Sequence, residues 1–343
     1  MKLRLANWSV ALFIVVGMSL TLCSHFSQAS SAQSIEVESV RPVESLAEQR
    51  EQLLAEYSQN DGLPLVQRTA ATANLGMYYG PNSVIAVARA SRSEHPEMRL
   101  AAIQAALQWQ GKAKWDVVSP LLDDEDRDVN AQAVRTLIVL WPQLSGEYLD
   151  HLGQAVDRHL TLLSNDLDGD LERAWIYTLQ SKFNQAELIY LDRFKNNKEP
   201  RVAIAYSEYL KSMDDDNQAQ YVLTQALIEF PESAALHYSL GLSYLRTHER
   251  VNALRHLRNA YDLAPANGSY GYTYAALARE NDVETAITVY QAIYQNHAQP
   301  AYLYALCDTL LVAGKDATSC LTELESVVPQ DVVSKLKKLY LPN

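Results

Sequence analysis

The stretch "ALHYSLGLSYLRTHERVNALRHLRNAYDLAP", Ala235 to Pro265, carries no two-residue alternation and no single apolar stripe. It therefore fits neither a half-buried strand nor a solitary amphipathic helix. Its small residues stand at Gly241, Ala253 and Ala260, its large apolar ones at Leu240, Tyr244 and Leu257, and a proline closes it. Two antiparallel helices in close contact need that distribution: small residues where the backbones touch, large ones in the wider gaps, and a proline that cannot continue the second helix. The spacing predicts a helical hairpin over these residues.

The hairpin repeats. Ala219, Ala226 and Pro231 recur 34 residues on as Ala253, Ala260 and Pro265, and Leu223 recurs as Leu257. Looser copies flank the pair, one through Ala174, Tyr177, Phe183, Ala186 and Tyr190, the other through Tyr274, Ala275, Ala278, Ala286 and Tyr290. A last hairpin, Ala301 to Ala313 and Thr318 to Val328, precedes a basic helix around Lys335 to Tyr340 and reads as a polar cap. This period and these residues resemble the tetratricopeptide repeat.

Upstream a second repeat is legible. SEHPEMRLAAIQAAL (Ser93 to Leu107) and DEDRDVNAQAVRTLI (Asp124 to Ile138) align at an offset of 31 residues, each an acidic turn followed by a helix. PLLDDEDRDVNAQAVRTL (Pro120 to Leu137) resembles a HEAT repeat: Arg99 matches the family's arginine in the first copy, whereas Asn130 replaces it in the second. Asp124, Asp126 and Asp128 read as helix capping, since a calcium loop would need a glycine and a bidentate glutamate that are missing. The fold class expected is all-α, an α-α superhelix (solenoid) of HEAT-like helix pairs followed by tetratricopeptide hairpins. The expected layout is a linker over 33–44, HEAT-like repeats over 45–143, a connecting helix over 144–166, and tetratricopeptide repeats with a C-terminal cap over 167–343.

Residues 1–32 have Lys2 and Arg4, then an uncharged apolar run from Trp8 to Cys23, then small polar residues around Ala29 and Ala32. That is the layout of a cleaved secretory signal, which implies a periplasmic or secreted protein. Two rivals fit the same residues: a retained membrane anchor over 8–23, and a lipoprotein signal ending at Cys23, where Leu22 is bulkier than that processing prefers. The net charge of −12 becomes more negative once Lys2 and Arg4 are lost, which argues against nucleic acid as a partner.

The order of HEAT-like pairs and tetratricopeptide repeats, with YGYTYAALA at Tyr270 to Ala278, is similar to the haem-free C-terminal half of certain bacterial multihaem cytochrome c proteins over roughly Thr69 to Gly314. The three cysteines, Cys23, Cys307 and Cys320, form no Cys-x-x-Cys-His motif, so only scaffold, export and a redox neighbourhood are implied. Cofactors and metal ligands are expected to be none. The histidine pairs His151 with His159 and His248 with His256 are eight residues apart, too far to share an ion without a third ligand, and read as solvated or half-buried surface. Gly241 to Leu245 begins like a nucleophile elbow, but it ends in leucine and falls inside a helix.

Cys307 and Cys320 fall where the two helices of the last hairpin touch, which makes them a disulfide candidate in an oxidising compartment; two buried free thiols are the alternative. Threading the repeat places Trp175, Lys211, Tyr238, Leu242, Arg246, Tyr272 and Arg279, with Tyr302 as a further candidate, on the inner face of the first helices. Tyrosine and arginine anchor extended peptides well. The expectation is a non-catalytic protein-interaction scaffold holding a protein or peptide, the alternative an accessory subunit of a membrane or cytochrome-containing redox complex.

Overall fold

A computed structural model describes residues 46–340. The signal or anchor segment and the linker lie outside the described residues. Among those residues there is no strand, and no helix is long and apolar enough to cross a membrane.

The first half is a set of short helices: α1 (Leu46–Gln59), α2 (Leu65–Asn74), α3 (Pro81–Ala90), α4 (Pro96–Ala106), α5 (Gly111–Val118) and α6 (Arg127–Leu137). α4 is central because four of its eleven residues are alanine, so α2, α3, α5 and α6 can all approach it. Around it Leu75, Met98, Ile103, Trp109, Leu122 and Leu137 are fully buried. Asp126 caps α6 by accepting from the Asp128 and Val129 amides, while Asp124 receives Arg99 at 2.7 Å from the preceding unit. The acidic turn is thus capping plus a tie between neighbouring units.

α7 (Glu147–Leu162) is one amphipathic helix joining the halves. The second half is a series of hairpins: α8 (Leu167–Leu179) with α9 (Phe183–Asn196), α10 (Pro200–Ser212) with α11 (Asp216–Glu229), α12 (Ala234–Arg246) with α13 (Arg250–Leu263), α14 (Gly268–Ala278) with α15 (Val283–His297), and α16 (Pro300–Val312) with α17 (Thr318–Val327). α18 (Gln330–Tyr340) closes the series on α16 and α17 through buried Val333 and Leu336. Each helix packs mainly on the next in sequence, and the first helices of successive hairpins also touch, α8 on α10 and α10 on α12.

The residues that suggested the hairpin do its packing. Ala253, Ala260 and Leu257 are fully buried, and a Cβ on Gly241 would lie 2.8 Å from Leu257 Cγ. Ala174, Ala186, Ala219, Ala275 and Ala286 are buried equivalents in the flanking copies. In four of the five hairpins the tight turn uses one left-handed residue, Ser181 (φ 58°), Asp214 (φ 57°), His248 (φ 64°) or Gly314 (φ 65°). Only the last is a glycine, the residue type with no steric cost there.

Candidate functional site

The expected contact residues lie on α8, α10, α12 and α14, with Arg279 just past the end of α14 and Tyr302 on α16, but the structure engages most of them within the protein. Trp175 packs against the apolar core of the first half. Lys211 pairs with Glu208 one turn earlier on the same helix, and Leu242 is half-buried. Neither Trp175 nor Lys211 joins the group formed by the others.

That group runs from α12 to α18. Tyr238 packs at a tilt on Tyr270 of the next hairpin, ring centroids 4.5 Å apart, and its hydroxyl lies 3.1 Å from Thr273 Oγ1. Tyr272 repeats the motif one hairpin on, 5.8 Å from Tyr302 and 5.7 Å from Tyr290. Each tyrosine packs on a ring of the next hairpin; Tyr238 is half-buried, and Tyr272 remains 37% exposed. Tyr302 is buried against Gly268, too close there to leave room for a Cβ. It serves packing rather than the outward face, because the glycine opens a space that its ring fills.

The two arginines are ion-paired across hairpins. Arg246 Nη2 donates to Asp216 Oδ1 at 2.6 Å, and Ser243 Oγ donates to the same oxygen at 3.0 Å. Burial alone would raise the Asp216 carboxyl, but these donors outweigh it and lower it. Arg279 pairs with Asp308 of α16, beside the hydroxyl of Tyr340 on the closing helix. Burial, then the Asp308 carboxylate, push the Tyr340 phenol up to about 12. The face therefore offers phenol edges and hydroxyls, and its positive charges are already met.

Cys307 and Cys320 are bonded, with Cα atoms 5.6 Å apart, tying α16 to α17. No group of three or more His, Cys, Asp or Glu among the described residues is arranged to hold a metal.

Other polar constellations join residues that the sequence pattern did not pair. A cavity of about 860 Å³ opens where α6, α7 and α8 meet, lined by Asp126, Asp128, Arg135, Arg158, His159 and Glu172. In its wall Glu172 accepts from both Arg135 nitrogens (2.7 and 2.6 Å) and lies 2.6 Å from His159 Nε2. Burial would raise this carboxyl, yet the hydrogen bonds from His159 and Arg135 bring it down to about 2. His159 is 4% exposed, which corrects the surface reading: its partner comes from α8, not from its own helix. His256 is likewise met from a facing helix, by His237 of α12, and not by His248.

No family model matches the sequence, and no curated protein matches it. Solved structures similar to it include YrrB, described as a TPR protein with an unusual peptide-binding site (14% identity, TM-score 0.42, covering 54% of this chain and 97% of that one). A MamA protein gives 14% identity and a TM-score of 0.41 over 51% of this chain and 94% of its own. PilF of Pseudomonas aeruginosa gives 18% identity and a TM-score of 0.43 over 62% and 98%. At such values these likenesses say nothing of a ligand, and the repeat architecture stands on the hairpin packing described above.

Proposed function

We propose that this protein is an exported, non-catalytic interaction scaffold that holds an extended protein or peptide segment along the first helices of its tetratricopeptide-like hairpins, with residues 45–143 as a HEAT-like half. The observation that carries the reading is the recurrence of Tyr238 and Tyr272 at matching positions of successive hairpins, each packed on a tyrosine of the next hairpin and each still partly exposed. Rings held this way provide contact area at little further cost in side-chain entropy. Arg246 and Arg279 position that face through their carboxylate partners; they are not free anchors. The N-terminal segment supplies export as a cleaved signal.

Site-specific photocrosslinking in the native host tests this. A photoreactive phenylalanine at position 272 should trap a discrete partner, and one at Val251, 84% exposed on α13, should not. Partner trapped from Val251 and absent from position 272 would place the contact on the second helices and contradict the reading.

A further inference from the structure

His237 on α12 and His256 on α13 approach with Nδ1 atoms 2.9 Å apart and ring centroids 5.1 Å apart. The difference is about twice an imidazole's centre-to-nitrogen distance, so the two nitrogens lie on the line joining the rings and their in-plane directions meet head-on. A metal on that line would need the nitrogens about 4 Å apart, at the usual zinc–nitrogen length. A single proton fits the gap.

The outer nitrogens fix who carries it. His237 Nε2 is 3.0 Å from the Pro231 carbonyl, so it bears hydrogen and donates, leaving Nδ1 as acceptor. His256 therefore donates from Nδ1, and its bare Nε2 faces Arg255 Nη2 at 3.5 Å. Each imidazole is neutral, and the chain runs Arg255, His256, His237, Pro231 without a clash. An added proton finds no acceptor. On His256 Nε2 it faces the guanidinium; on His237 Nδ1 it sets N–H against N–H. The cavity around the pair, about 330 Å³, brings Thr224, Leu227 and Ile228 from α11 and Tyr244 from α12, and Arg255 is its charged member. No carboxylate lines it to stabilise an imidazolium.

We propose that the His237–His256 pair is a proton-sensitive latch, which when neutral ties α12 to α13 and to the turn at Pro231, and which mild acid opens. Burial, then the neighbouring imidazole and Arg255, lower His256 to about 4, and burial also lowers His237. An unfolded chain takes up these protons near pH 6.5. The contribution to stability is therefore complete above about pH 6.5 and is lost as pH falls toward 4. Tyr238 follows His237 on α12, so opening also disturbs the proposed contact face; that consequence alone rests on the scaffold reading.

The test is nitrogen-15 NMR of histidine-labelled full-length protein between pH 8 and 4, with no partner added. Two linked imidazoles that stay neutral well below pH 6, His237 as the Nε2–H form and His256 as the Nδ1–H form, are expected. Two rings titrating independently near pH 6.5, or both in the Nε2–H form, would overturn the latch. Chemical unfolding at pH 7.5 and 5 adds a second readout. Wild type should lose about tenfold or more in its folding equilibrium constant, beyond any loss shown by His237→Gln. An equal loss in the two proteins contradicts the proposal, and if the variant does not fold, the wild-type titration decides.

Discussion

Gly241 and Gly153 both lie inside helices, where alanine ordinarily adds up to about 1 kcal/mol over glycine. Their surroundings reverse the sign at one of them. Gly153→Ala meets only Trp141 Cη2 at 3.8 Å and should raise the denaturant midpoint by the equivalent of about 0.5–1 kcal/mol. Gly241→Ala places a methyl 2.8 Å from Leu257 Cγ and 3.2 Å from its backbone nitrogen, so it should cost about 1–3 kcal/mol in the same measurement. Glu172 is the residue-scale test of charge. With its carboxyl at about 2 when folded, its contribution is present above about pH 4.5 and lost as pH falls toward 2. Glu172→Gln should cost about 1–3 kcal/mol at pH 7 and flatten the acid limb of the stability curve; an unchanged limb would show the triad to be idle. Gly241 was legible in the sequence because a small residue at a helix contact recurs with the repeat. The Glu172 and His237 partnerships were not, because each joins facing helices at a separation of its own. For His237 a signal did exist: threaded on the hairpin, it stands four residues before Gly241, and His256 three after Ala253.

Among the elements, the hairpin turns carry a cost that substitution can relieve. Ser181, Asp214 and His248 hold left-handed backbone in which an ordinary side chain loses about 1–2 kcal/mol against the right-handed form. Asp214→Gly should therefore stabilise by a few tenths to about 1 kcal/mol, the glycine's larger entropy in the unfolded chain taking back part of the gain. Asp126→Ala removes the carboxylate oxygen that accepts from two amides at the start of α6 and should cost about 1 kcal/mol, whereas exposed Asp128→Ala should change stability by less than half of that. The bond between Cys307 and Cys320 closes a 13-residue separation, worth about 3 kcal/mol by loop entropy. Equal masses of the alkylated protein with and without prior reduction would remove it from the account. Helix positions and hairpin pairing could be read from alanine, glycine and proline spacing, since those residues answer to contacts within one unit. The ties between units could not: Arg246 to Asp216, Arg279 to Asp308 and Tyr294 to Glu323 depend on how one hairpin settles on the next. For that reason the arginines look like free anchors in sequence and prove to be positioning groups in space.

At the scale of the molecule, the described helices form a series in which contacts from α8 to the α18 cap run mostly between neighbours in sequence, whereas in the first half α1 also packs on α3 and α2 on α4. Three apolar clusters follow one another along it, one in the first half, one through α8 to α12 and one through α13 to α18. In such an arrangement each unit is stabilised by its own packing and by the faces beside it, so opening should proceed from the ends. This nearest-neighbour organisation underlies the scaffold reading, because α8, α10 and α12, the first helices of successive hairpins, lie side by side. Native-state hydrogen exchange of the whole chain, followed helix by helix at neutral pH, measures it most directly. The account predicts that α12 and α13 exchange together as one of the best-protected hairpins, with protection falling stepwise toward α1 and toward α18. A single protection level for every helix, or slow exchange shared by helices far apart in the stack while those between them open freely, would contradict it.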